Sequence, residues 1–154
     1  MYLVSVLALM LVLPAGSIVA DYLSLPAGAA IMPLVGKWFV FWSAGVRLML
    51  AGIRQYFQPE FTAHEIFEMK SAEALPVVRE LGVANFSIGT VGVLSLLAPS
   101  FVLPVAIAAG IFYGVAGVRH AMQPARSRNE TVAMVTDLFA FFVLAAFVAW
   151  TYFG

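Results

Sequence analysis

Residues 74–97, ALPVVRELGVANFSIGTVGVLSLL, form a stretch that is long enough to cross a bilayer and yet carries Arg79, Glu80 and Asn85. Helical periodicity places one group of these residues on a single face: Gly82, Asn85, Gly89 and Gly92. Glu80 and Ser87 fall on nearly the opposite face. Glycines let another backbone come close, and a charge in hydrocarbon without a partner costs at least about 2.5 kcal/mol. We therefore expect this helix to have neighbours on two sides.

The composition of the chain is typical of a membrane protein. Of its 154 residues, 63% are hydrophobic and 10% are charged, and the mean hydropathy is +0.99, so there is too little polar surface to coat a soluble globule. The formal net charge is zero, which excludes a basic surface for nucleic acid. The absence of cysteine excludes disulfides, thiolate metal sites, iron–sulfur clusters and cysteine nucleophiles.

Five apolar stretches each approach the roughly 20 residues that a spanning helix needs. They cover residues 2–25, 34–57, 75–97, 101–122 and 128–153. We predict an all-α membrane protein with two parts. An N-terminal transmembrane helix occupies residues 1–25, and a four-helix transmembrane bundle with a short interfacial helix at 62–73 occupies residues 34–153. The first stretch lacks the basic start of a signal peptide, so we expect it to be retained.

The loop charges predict the orientation of the chain. The segments after the second and fourth stretches lie on one side of the membrane and hold most of the cations: Arg54, Lys70, Arg119, Arg126 and Arg128. The opposite side holds Lys37. By the positive-inside rule, we expect a multi-pass protein of the bacterial inner membrane with its N-terminus in the cytoplasm and its C-terminus outside. Removal of the first helix would leave the orientation of the other four unchanged.

Small residues and caps refine the helices. In the second stretch, Gly45 and Gly52 share a face opposite the arginines, and in the fourth a small-residue stripe predicts a packing face: Ala106, Gly110, Gly114 and Gly117. Thr62 and Glu65 have capping-box spacing, which predicts a helix that begins at Thr62 and lies along the membrane surface. Ser127 and Glu130 have the same spacing at the start of the fifth stretch.

Ionisable residues at membrane depth form the candidate site. Helical rise places Glu80 and Asp137 between Arg54 and Arg47 in depth, so we predict a buried cluster in which the two arginines meet the two acids. Hydrogen-bond partners for this cluster are available in Gln55, Asn85 and Tyr113. The predicted binding residues are Arg47, Arg54, Glu80, Asn85, Tyr113 and Asp137.

Two interpretations of this cluster remain open. Paired charges can simply fix the register of the helices, or they can line a pocket. In the second case the arginines would hold an anionic or quinone-like head group, and Glu80 or Asp137 would exchange protons. We predict no catalytic residue and no metal site, because His64 and His120 are the only histidines and no nucleophile has a base in reach.

Two segments resemble the DoxX-like group of small bacterial multi-helix membrane proteins. These are WSAGVRLMLAGIRQYF at residues 42–57 and VVRELGVANFSIGTVGVLSLL at residues 77–97. PEFTAHEIF and GIFYGVAGVRH are similar to an uncharacterised branch of that group. The resemblance implies a four-helix bundle, preceded here by an extra helix, in which Arg47 and Glu80 match the family's arginine and acid. For some relatives it implies association with quinone-linked redox proteins. The absence of cysteine argues against carrying over thiol or thiosulfate chemistry.

The sequence favours a non-enzymatic accessory or binding subunit that recognises a lipophilic molecule or a partner helix through the buried cluster. One alternative is a proton-coupled carrier or channel for a small substrate, although no internal repeat is visible. A second alternative is a quinone-linked redox subunit. We predict no cofactor, although a quinone would suit this second alternative. The expected partners are membrane lipid and either another membrane protein or a second copy of the chain.

Overall fold

Five long helices make up the computed structural model, which describes residues 2–67, 69, 71–124 and 127–154. They are α1 (Leu3–Tyr22), α2 (Met32–Phe57), α3 (Ala74–Leu94), α4 (Pro99–Ala121) and α5 (Arg128–Phe153). Each is long and apolar enough to cross a membrane. The described part of the chain contains no strand, so the predicted all-helical class is confirmed and the architecture is consistent with a helical membrane protein.

Both α1 and α2 contain a π-helical segment, at Ala8–Val12 and Val40–Val46. The wider π turn leaves backbone carbonyls without their usual helical partners, and side chains take some of them. Ser43 Oγ donates to the carbonyl of Leu9 at 3.3 Å, and the hydroxyl of the buried Tyr113 donates to the carbonyl of Ser43. These two hydrogen bonds join α1, α2 and α4.

Glycines bring α2 and α3 into backbone contact. A Cβ atom on Gly52 would lie 2.5 Å from the carbonyl oxygen of Gly82, and one on Gly89 would lie 2.3 Å from the backbone nitrogen of Met49. Real Cβ atoms do not approach so closely, so only glycine fits at these positions. The predicted small faces of the two helices therefore pack against each other.

The small stripe on α4 packs against α5. A Cβ on Gly114 would lie 2.8 Å from the ring of Phe141, and one on Gly117 would lie 2.7 Å from Leu138. The prediction that this stripe is a packing face is confirmed. Larger side chains of α5 fill the space that the missing side chains of α4 leave.

The central element is α2, which packs against α1, α3, α4 and α5. By contrast, α3 packs mainly on α2, and its face with Glu80 and Ser87 is exposed. The Ser87 hydroxyl donates to the carbonyl of Val83 in its own helix at 2.8 Å. The expectation that α3 has neighbours on two sides is wrong for the single chain, because α2 covers its glycine face and the opposite face is exposed.

The connection between α2 and α3 contains a short π-helix, Phe61–Ile66. It is preceded by Glu60, whose side chain makes no capping hydrogen bond. Thr62 is therefore an internal residue of this helix, and the capping box predicted there is wrong. The described residues between 67 and 73 are not helical, so the helix is shorter than the predicted 62–73. Two residues mentioned above lie outside the described part of the chain, Lys70 and Arg126.

At the opposite end of the bundle, polar contacts tie α1 to α2. The Lys37 ammonium group lies 2.7 Å from the Asp21 carboxylate, and Trp38 Nε1 donates to the same carboxylate at 2.9 Å. Trp42 Nε1 donates to Ser17 Oγ at 3.0 Å. The sequence analysis did not single out Asp21, which the structure makes the anchor of this end.

We predict that Gly89→Ala destabilises the protein. The added methyl group would overlap the backbone of Met49, and overpacking of this kind costs about 1–3 kcal/mol. Gly110→Ala is the matched control, since its Cβ would meet Leu144 at an ordinary 3.8 Å and alanine favours a helix. Thermal unfolding in detergent, followed by circular dichroism, should show a lower melting temperature for Gly89→Ala and no decrease for Gly110→Ala. Equal stability of the two variants would contradict this packing.

Candidate functional site

A cavity of about 230 Å³ lies in the half of the bundle that contains the short helix. Its wall is formed by the early turns of α1, α3 and α5, the late turns of α2 and α4, and the short helix itself. Most of the lining side chains are apolar. The polar ones are Ser5, Arg47, Arg54, Gln55, Thr62, Asn85, His120 and Asp137. All five long helices therefore meet around one space with a mixed polar and apolar wall.

The strongest polar contact in this wall joins α2 to α5. The Arg47 guanidinium donates to the Asp137 carboxylate at 2.9 Å, and their side chains are 14% and 7% exposed. The guanidinium also lies 5.1 Å from the ring centroid of Tyr113. The predicted meeting of arginine and acid is thus present for this pair, and Tyr113 lies beside it.

The other predicted arginine and acid do not join this pair. Arg54 is exposed, and its guanidinium lies 3.4 Å from the ring centroid of Phe61. Glu80 is exposed on the outer face of α3, and within the described ranges it forms no ion pair. The prediction that Glu80 belongs to the buried cluster is wrong. The cause is the packing of α3, since turning its glycines to α2 turns Glu80 outward.

A pair of buried amides forms a second part of the wall. Asn85 is 2% exposed, and its Nδ2 donates to Gln55 Oε1 at 2.8 Å. The other polar atom of this side chain, Asn85 Oδ1, has no hydrogen-bond partner among the described residues. A buried acceptor in that state costs about 1–3 kcal/mol, so it indicates a place where a further donor belongs.

Sequence reasoning missed a buried contact between His120 of α4 and Glu130 of α5. His120 Nδ1 lies 3.0 Å from the Glu130 carboxylate, and both side chains are buried. The imidazole stacks on the ring of Phe67 at 6.2 Å between centroids. Ser127 caps α5, because its Oγ accepts from the backbone nitrogen of Glu130 at 3.1 Å, and the predicted start of this helix is confirmed. The Glu130 carboxylate pairs with His120.

The sequence held one signal for this pair. Glu130 and Asp137 are seven residues apart, which puts both acids on the same inward face of α5. Each then needs a partner from a facing helix, and α4 and α2 supply them. Within the described part of the chain, no group of three or more His, Asp or Glu side chains is arranged to hold a metal ion.

We predict that Asp137→Leu is strongly destabilising. It leaves the Arg47 guanidinium in the cavity wall without its carboxylate, and breaking a buried pair from one side costs about 3–5 kcal/mol. The double variant Arg47→Met/Asp137→Leu should recover most of that loss, because it removes both charges. Thermal unfolding of the two variants in the same detergent measures the difference. A double variant no more stable than Asp137→Leu would show that the unpaired charge is not the reason for the loss of stability.

The comparisons with known proteins add a family to this geometry. No curated protein and no solved structure matches the chain. Residues 1–153 match the model of a family described as "Family of unknown function (DUF6790)", and this match includes all five long helices. Because the match spans nearly the whole sequence, the chain belongs to the DUF6790 family of unknown function.

Proposed function

We propose that this protein is a small non-enzymatic membrane protein that binds a lipophilic molecule through a polar group held in the cavity. The observation that carries this proposal is the cavity itself, where side chains from five apolar helices converge on about 230 Å³ of space with a polar wall. Polar and ionisable groups are costly at membrane depth, and they are typical of ligand or ion sites there. Binding pockets between the helices of a bundle commonly combine an apolar wall with a few polar groups.

The alternative interpretation, in which the charges only fix the register of the helices, accounts for the Arg47–Asp137 pair but not for the space beside it. An ion pair that only stabilises packing needs no empty space beside it and can be enclosed by side chains. Here the adjoining volume equals that of about eight waters, at roughly 30 Å³ each. The same wall holds the buried Asn85 Oδ1, which has no hydrogen-bond partner in the part of the chain that the structure describes. Both features support a binding site in addition to a structural role.

A proton-coupled carrier is the second candidate, and one observation favours it. Two buried pairs of ionisable side chains lie on the same face of α5, His120–Glu130 near its start and Arg47–Asp137 two turns further in. Such a series of ionisable groups could pass protons. The cavity, however, is confined to one half of the bundle, and the other end is occupied by the contacts of Asp21 with Lys37 and Trp38. For this reason we rank binding above transport.

We further propose that the protein lies in a bacterial inner membrane with the cavity on the cytoplasmic side. The support for this is the bias of loop charges and the helix bounds, which place the cationic loops and the cavity at the same end. The similarity to DoxX-like proteins stays a prediction that rests on two segments of sequence. A partner membrane protein or a second copy also stays a proposal, and the exposed outer face of α3 is available for such a contact.

The proposed orientation can be tested with single cysteines, since the chain has none of its own. Ala27→Cys lies in the exposed loop between α1 and α2, and Ala72→Cys lies in the exposed segment before α3. In spheroplasts, a membrane-impermeant maleimide should label the first variant at once and the second after the membrane is permeabilised. The reverse pattern would show that the cavity faces the outside.

Filling the cavity should abolish ligand binding without unfolding the protein. Ala116 lines the cavity, and Ala116→Phe would occupy part of it, whereas Ala108 lies exposed on the same helix and Ala108→Phe is the matched control. We expect native mass spectrometry of purified protein to show a bound molecule in the control. Its occupancy in Ala116→Phe should fall at least about ten-fold, since a steric cost of 1.4 kcal/mol suffices. The same bound species at equal occupancy in both variants would rule out the cavity as the site.

A further inference from the structure

The unpaired oxygen of Asn85 constrains the chemistry of the ligand, and the argument below depends on the proposed binding function. Asn85 is 2% exposed, and its amide nitrogen is already used by Gln55. Its Oδ1 is the buried side-chain atom that lacks a partner within the described residues. A carbonyl oxygen can only accept, so a ligand that satisfies it has to present a hydrogen-bond donor, such as a hydroxyl or an amide N–H.

The charges of the wall indicate a ligand without charge. Arg47 faces Asp137, and His120 faces Glu130, so each buried ionisable group at the cavity has an opposite or proton-sharing partner. A carboxylate or phosphate placed among them would lie beside Asp137 and would have to leave water at a large cost. Arg54, the remaining cation of the wall, is exposed and lies towards the surface. The interior therefore suits a neutral polar group.

The volume of the cavity indicates that only part of the ligand lies inside it. Sites that enclose a whole small molecule usually measure about 300–1,000 Å³, and this one measures about 230 Å³. Three lining residues are exposed: Ser5 on α1, and Leu50 and Arg54 on α2. They mark where the cavity reaches the surface of the bundle.

The packing of α1 explains why an opening lies there. The later turns of α1, Leu13–Tyr22, pack on α2, whereas its first turns, up to Leu7, pack on α5. The two helices therefore separate towards the end that contains the cavity. Leu50 is 50% exposed and lies about two turns before the end of α2, so the opening faces sideways at membrane depth. A hydrocarbon chain could leave the cavity by this gap and enter the bilayer directly.

We infer that the ligand is an uncharged amphiphile whose hydroxyl or amide N–H donates to Asn85 Oδ1. Its hydrocarbon chain leaves the cavity between the first turns of α1 and the last turns of α2. This assignment replaces the anionic or quinone-like head group expected from the sequence, since the guanidinium expected to hold it faces Asp137. A quinone offers acceptors alone, whereas an alcohol or an amide offers the donor that this wall lacks.

The test uses one introduced thiol as a reporter of occupancy. Ala116→Cys places a cysteine in the cavity wall of the full-length protein in lipid vesicles, and Ala108→Cys places one on the exposed side of the same helix. The rate at which methyl methanethiosulfonate converts this thiol to its methyl disulfide, with release of methanesulfinate, is then measured against the mole fraction of three probes in the membrane. The probes are dodecan-1-ol, 1-methoxydodecane and dodecanoate, which share a chain length and differ in the head group.

We expect dodecan-1-ol to protect the cavity thiol at about one-tenth of the concentration that 1-methoxydodecane needs, because the ether cannot donate to Asn85. Dodecanoate should protect less well than the alcohol, and none of the probes should change the rate at position 108. Hexadecan-1-ol should protect as well as octan-1-ol, because the extra chain lies in the bilayer. Failure of the longer alcohol would overturn the lateral opening.

Asn85→Leu, combined with the Ala116→Cys reporter, ties the donor requirement to one residue. The advantage of the alcohol over the ether should disappear in this variant. If the variant does not fold, the comparison of probes on the Asn85 protein decides by itself. Equal protection by alcohol and ether, or stronger protection by dodecanoate, would overturn the inference while leaving a binding site in place. Absence of protection by every probe, together with no bound molecule in the purified protein, would reject the binding function itself.

Discussion

The contact of Arg47 with Asp137 determines how the rest of the bundle is arranged. A guanidinium surrounded by apolar helices has to face a carboxylate, so one side of α2 is turned towards α5. The opposite side of α2 carries glycines, and α3 packs there at a distance that excludes any side chain. The glycine face of α3 is thereby used, and Glu80 on its other face points away from the bundle. One ion pair thus accounts for the rotation of α2, through α2 for that of α3, and hence for the exposure of Glu80, which is not part of the pair.

Much of the fold follows from the sequence, because hydropathy and helical periodicity report burial directly. The five long helices, the glycine contacts, the Arg47–Asp137 pair and the cap at Ser127 were all predictable in this way. The failures have a common physical cause. Counting residues gives the depth of a side chain in the membrane but not its direction around the bundle axis. Glu80 lies at a suitable depth and is exposed, whereas His120, at the end of α4, is buried against Glu130.

The candidate site is polar, but its buried ionisable side chains are paired with one another. Its buried ionisable groups face one another, and the atom left without a partner is a neutral acceptor at Asn85. Charge balance is what allows such a wall to exist among apolar helices without a tightly held counter-ion. It also separates the structural from the proposed binding role of these residues, since Arg47–Asp137 and His120–Glu130 join helices and Asn85 lies in the wall of the cavity. The paired residues are thus assigned to holding the helices together, and Asn85 is assigned to binding.

The π-helical segment at Val40–Val46 has a consequence for the two halves of α2. A π turn acts like a one-residue insertion, so the angular relation between residues on either side of it differs from that of a continuous α-helix. Lys37, before the segment, meets Asp21 on α1, and Arg47, directly after it, meets Asp137 on α5. The π-helical segment therefore changes the rotation of one half of α2 relative to the other, so that the two halves face different helices. Each half of α2 can pair its charged residue with an acid on a different neighbouring helix. A helical wheel drawn through both halves would place the residues of one half on the wrong face.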